Sequence, residues 1–131
     1  MEYEISIDDR HGIVEVRLLE ATPHGAHVKA RDELLEICRA HDIRGILVDA
    51  RELVIRDRPS TLELFDFGVS WSELAKRRPV LVAGLLPRDA ATRERVLFGD
   101  TVATNRGLVS QAFDDIEEAR AWLRSSGNIR R

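Results

Sequence analysis

Three groups of polar residues in this chain are of types that can do chemistry. Asp49 closes the apolar run Ile46-Leu47-Val48, at what is expected to be the carboxyl end of a strand. Open α/β sheets place their ligand sites at such ends, so Asp49 is a candidate general base; it can equally cap or hydrogen-bond the loop that follows. The second group is Arg51, Arg56 and Arg58, followed by Ser60 and Thr61 at the start of an expected helix. Backbone amides and the helix dipole attract phosphate there, and guanidinium groups would add charge-assisted forks. Asp49, Glu52 and Asp57 are interleaved with these arginines and neutralise part of their charge. Arg88, Thr92 and Arg93 in a later loop are expected at the same edge of the sheet, where they would complete an anion or acidic head-group site. The third group is His24 and His27, whose spacing suits two metal ligands. No acidic or cysteine partner lies near them in sequence, so they are read as solvent-exposed histidines and no metal is expected.

Other chemistry is missing from the sequence. It contains no G-x-G-x-x-G, no Walker-type glycine loop, no G-x-S-x-G and no H-E-x-x-H. An enzyme built on Asp49 and Arg51 is the most distant reading, because no nucleophile and base stand at a recognisable spacing. No catalytic residue and no cofactor are therefore expected. The balance of 20 Lys+Arg against 23 Asp+Glu leaves a formal charge of −3, which argues against a nucleic-acid partner. Eighteen of the 20 basic residues are Arg, but they are spread along the whole chain, which fits a codon bias better than a phosphate-binding patch. No apolar run approaches the roughly 18 residues of a membrane span, and Met1-Glu2-Tyr3-Glu4 is acidic where a signal peptide is basic. A cytoplasmic domain follows as the expectation. The single cysteine, Cys38, excludes an internal disulfide, and its place on an apolar stripe marks it as a small buried hydrophobe.

The elements that must position these residues are legible from periodicity. Tyr3, Ile5 and Ile7 alternate, Asp8 to Gly12 is turn-forming, and Ile13 to Leu18 is rich in β-branched residues; together they predict an antiparallel hairpin. Ala21 to Gly25 breaks the second strand. From Ala26 to His41 the apolar positions Ala30, Leu34, Ile37, Cys38 and His41 recur at helical spacing. Gly45 to Val48 and Pro79 to Leu85 are apolar runs of the kind that lie inside a parallel sheet. Ser60-Thr61-Leu62-Glu63 is a capping box, predicting a helix to about Lys76. A third helix begins near Ala90 and stops at Gly107, read as a left-handed terminator. Leu108 to Phe113 is the last strand. Asp114 and Asp115 cap a final helix with the stripe Ile116, Ala119, Trp122 and Leu123, and fraying is expected from Ser125. The order predicts one domain over residues 1–131: a single mixed, mostly parallel five-stranded sheet with four helices.

The helix after Ser60 is apolar on two sides. Leu64, Phe67, Trp71, Leu74 and Ala75 fall within one arc of about 100°, and Leu62, Phe65 and Val69 fall nearly opposite. One stripe suffices to face the sheet. The second is expected to meet a neighbouring helix, a second copy in a homodimer, another protein, or a lipid or membrane surface.

Three stretches carry a family resemblance: Gly45-Ile46-Leu47-Val48-Asp49, Pro79-Val80-Leu81-Val82-Ala83, and the ending Val109-Ser110-Gln111-Ala112-Phe113-Asp114-Asp115-Ile116-Glu117-Glu118-Ala119-Arg120-Ala121-Trp122-Leu123. With the order of elements, they make nearly the whole chain resemble the SpoIIAA-like families, which share the STAS fold. The resemblance implies a non-enzymatic regulatory or protein-binding module. Through a suggested relation of this branch to CRAL-TRIO domains, it implies as the alternative a lipid-binding carrier, peripheral to the membrane. One departure stands out. Anti-sigma antagonists carry an Asp-x-Ser motif after the second core strand, whereas this chain reads Asp49-Ala50-Arg51, with Ser60 and Thr61 as the first hydroxyls beyond it.

Overall fold

The computed structural model describes residues 3–19, 26–55, 60–77 and 80–129. The strands are β1 (Tyr3–Asp8), β2 (Ile13–Leu18), β3 (Gly45–Asp49), β4 (Leu81–Leu85) and β5 (Val109–Phe113). The helices are α1 (Ala26–His41), α2 (Thr61–Arg77), α3 (Ala90–Asn105) and α4 (Ile116–Ile129). The strands form one sheet in the order β1-β2-β3-β4-β5, with β1 antiparallel to β2 and every later pair parallel. The α/β class, the mixed five-stranded sheet and the four helices are those predicted.

Sequential strand order has a consequence for the helices. Each right-handed crossover that steps the same way along a sheet leaves its helix on the same face. Leu34, Leu35 and Cys38 of α1, Trp71 of α2 and Ala103 of α3 accordingly share one core with Val14, Val16, Ile46 and Val82. The alternate strand positions Ile13, Leu47, Leu81, Ala83 and Leu85 form a second core, covered among the described residues by Ala119 and Leu123 of α4, with Ile116 and Trp122 packed against it. Ile46 and Leu47 are neighbours in β3 and both are fully buried, one in each core.

Local signals act where expected. Gly12 ends the hairpin turn at φ +67°, and its carbonyl accepts from the amides of Arg44 and Gly45. Gly107 stops α3 at φ +105°: its amide donates to Thr104 and that of Leu108 to Ala103, so carbonyls of the last turn are satisfied. The Asp115 carboxylate accepts from the Glu118 amide at 3.1 Å, capping α4. Two expectations are corrected. His41 is exposed rather than part of the α1 stripe, with Nδ1 3.0 Å from an Asp9 carboxylate oxygen; Leu35 is buried. The polar ring finds an acid at the hairpin turn, and the neighbouring leucine takes a place in the core. The α4 helix does not end at Ser125 but continues to Ile129, since no proline or left-handed stop intervenes.

Candidate functional site

Asp49 ends β3 on the α4 side of the sheet and is 6% exposed. Its two carboxylate oxygens meet one partner. Arg51 donates from Nε at 3.0 Å to Oδ1 and from a terminal nitrogen at 2.9 Å to Oδ2, and the Arg51 amide adds a third bond at 3.2 Å. Burial pushes the Asp49 carboxyl up, but the side-chain and backbone hydrogen bonds from Arg51 outweigh it and hold the group below its ordinary value. The same bond raises Arg51 above its own. This bidentate clasp uses the Nε edge of the guanidinium and sets a carboxylate charge against it, which weakens Arg51 as a phosphate donor. It matches the loop-bonding reading of Asp49. Beside it, Arg17, paired with Asp49 in the sheet register, reaches Glu52 at 2.7 Å and Glu4 at 3.5 Å, and Arg120 of α4 forks onto Glu15 at 2.7 and 2.9 Å.

The other anion-site candidates are only partly brought together. Arg56 and Arg58 lie outside the described residues, as does His24; the side chains of His27, Thr61, Phe67, Leu74 and Ala75 do so too. Ser60 performs the capping box: its amide donates to the Glu63 carboxylate at 3.0 Å, and the Glu63 amide donates to its hydroxyl at 3.1 Å. Arg88 does stand at the same edge as Arg51, since its amide donates to the Arg51 carbonyl at 3.2 Å. Thr92 is 0% exposed and ties two loops: its hydroxyl donates to Asp89 at 2.7 Å and accepts from the Ile55 amide at 2.9 Å. Folding thus turns the Thr92 hydroxyl inward, away from the surface arginines expected beside it. Arg93 instead reaches Asp114, at 3.1 Å. Among the described residues, no group of three or more His, Cys, Asp or Glu is placed to hold a metal ion.

Of the two stripes of α2, the described side chains are Leu64, half-buried, and Trp71 on one, and Leu62, Phe65 and Val69 on the other. Trp71 is buried against the sheet. Leu62 is 66% and Phe65 39% exposed, Val69 is half-buried, and the Arg106 guanidinium lies 5.3 Å over the Phe65 ring. Helices α2 and α3 touch backbone to backbone: a Cβ added at Gly68 would stand 2.5 Å from the Gly99 carbonyl oxygen.

Sequence reasoning missed a cavity of about 100 Å³ between the sheet and the α2–α3 pair. Val48, Gly84 and Ala112 are cross-strand neighbours on its sheet side, while Trp71, Val96 and Gly99 line it from the helices. A Cβ added at Gly84 would meet nothing within 4 Å, so the missing side chain leaves open space. The sequence did hold a signal, since a glycine inside a strand weakens it and often marks a close approach by a ligand.

Fold and site together define an α/β domain with three helices on one face, one on the other, and an apolar cavity under the α2–α3 pair. No protein-family model and no curated protein matches the chain. No helix among the described residues is long and apolar enough to cross a membrane.

Proposed function

We propose that this chain is a non-enzymatic, SpoIIAA-like (STAS-like) binding module that works in the cytoplasm and seats a small apolar molecule in the cavity beneath α2 and α3. The observation that carries the reading is the open space over Gly84, walled by apolar side chains. Its volume is of the order of an engineered cavity, about 150 Å³, that admits benzene. The ligand is accordingly a short alkyl chain or single ring, which narrows the lipid-carrier alternative to a small cargo. Helix α2 supports the regulatory side of the reading. Trp71 lines the cavity from the same helix that carries the exposed Leu62 and Phe65, so a ligand that moves Trp71 acts on a surface suited to a protein partner.

Titration of the ¹⁵N-labelled protein with 1-hexanol tests the reading. The Gly84 and Ala112 amides and the Trp71 indole are expected to shift in a saturable way. Gly84→Val, whose branched side chain suits a strand and fills the space, is expected to fold and lose the response. Unmoved resonances in the unsubstituted protein reject the cavity as a binding site.

A further inference from the structure

We infer that the cavity selects a molecule with an apolar body and a hydrogen-bond-donating head, a hydroxyl or an ammonium, and discriminates against a carboxylate head; this rests on the binding reading above. The cavity is apolar save for a small polar spot. Asp100 of α3 and Ser110 of β5 both line it, and the Ser110 hydroxyl donates to Asp100 Oδ1 at 2.6 Å. That bond commits the hydroxyl proton. What remains there is acceptor capacity: the lone pairs of the serine oxygen and those of the Asp100 carboxylate that Ser110 does not use. Gln111 also lines the cavity, but its register partner Ala83 belongs to the α4-side core, so strand alternation turns its side chain to the opposite face. It brings backbone to the cavity wall and no amide head that could offset the acceptors.

The same spot is where a ligand enters. Ala112 is the register partner of Gly84 and points to the three-helix face, yet it is exposed. Helix α3 therefore leaves β5 uncovered there, and the cavity opens past Ala112. Ser110 stands two residues earlier on the same face of β5, so the Asp100–Ser110 pair borders the opening. An apolar body entering by this route reaches Gly84 and Trp71 while its head stays beside the two acceptors. A hydroxyl or ammonium donates to them. A carboxylate brings like charge against Asp100 at the edge of an apolar space, where such juxtaposition is costly.

The alternative for the pair is a tie holding α3 to β5, and one substitution separates the two roles. Asp100→Asn keeps an acceptor for Ser110 and removes the charge. The experiment titrates the ¹⁵N-labelled protein with three probes of equal chain length at pH 7: hexylammonium, 1-hexanol and hexanoate. Gly84 and Ala112 amide shifts report occupancy. Hexylammonium and hexanol are expected to bind about tenfold or more tighter than hexanoate, and Asp100→Asn to narrow the ammonium-to-carboxylate ratio to about twofold. The ranking in the unsubstituted protein decides even if the variant does not fold. Binding of all three probes with equal strength, or a preference for hexanoate, overturns the head-group selection and leaves the cavity reading standing. If no probe moves Gly84, both fall together.

Discussion

At Asp49 the size of the opposing effects decides what a buried carboxylate does. Desolvation alone would favour the protonated form, yet the fork from Arg51 keeps the group ionised. A folded-state value below the ordinary 3.8 means this stability is complete above that value and is lost as pH falls through it toward the depressed one. Arg51→Ala leaves the carboxylate buried with its principal partner gone. Hydrogen bonds to charged groups are worth roughly 1.5–3 kcal/mol, so a loss of that size is expected near neutral pH. Urea unfolding at pH 7 and pH 3 checks both statements: the stability gap between the two proteins should shrink at the lower pH. A gap that is equal at the two pH values would mean the clasp is not ionic.

Between elements, α2 and α3 approach backbone to backbone where they cross. Gly68 is buried, and its missing side chain lets the Gly99 carbonyl approach. Helix propensity argues for alanine at position 68 by about 1 kcal/mol. The added Cβ would also stand 2.6 Å from the Val102 Cβ as well as against the Gly99 carbonyl, and neither is the far end of a flexible chain. Overpacking of this kind typically costs about 1–3 kcal/mol, so the clash outweighs the propensity. Gly68→Ala is expected to lower the thermal midpoint, while Gly84→Val, where space is open, should not. Equal midpoints for Gly68→Ala and the unsubstituted protein would show that the two helices can separate at no cost.

Over the whole molecule, the two cores are unequally insured. Among the described residues, three helices cover one face of the sheet, and α4 is the helix that covers Ile13, Leu47, Leu81, Ala83 and Leu85 on the other. A chain truncated after Asp115 exposes that face. Each large apolar side chain returned to water costs roughly 1.5–3 kcal/mol, and several of them together match the 5–15 kcal/mol stability of a typical domain. Circular dichroism of the truncated chain is expected to show no cooperative melt. A cooperative transition near that of the full chain would mean that α4 adds little to the fold.

The elements themselves were legible in the amino-acid order, because their signals are local. Alternation in β1 and β2, the Ser60–Glu63 box, the left-handed Gly107 and the Asp115 cap each concern backbone groups within a few residues of one another. Their physics is complete in a short window, and so the sequence alone determined the class, the strand count and the helices. The site was another matter. The Asp49–Arg51 clasp spans two residues and was within reach of sequence reasoning, but the inward turn of Thr92 depends on Ile55, 37 positions away. The Arg120–Glu15 fork spans 105 positions. The cavity belongs to neither kind of signal. Gly84 reads as one small residue in an apolar run until β3, β4 and β5 lie side by side and α2 meets α3 through Gly68 and Gly99. Only the packed arrangement decides whether an absent side chain is filled by a neighbour, as at Gly68, or left open, as at Gly84, because empty space is set by every surrounding element at once.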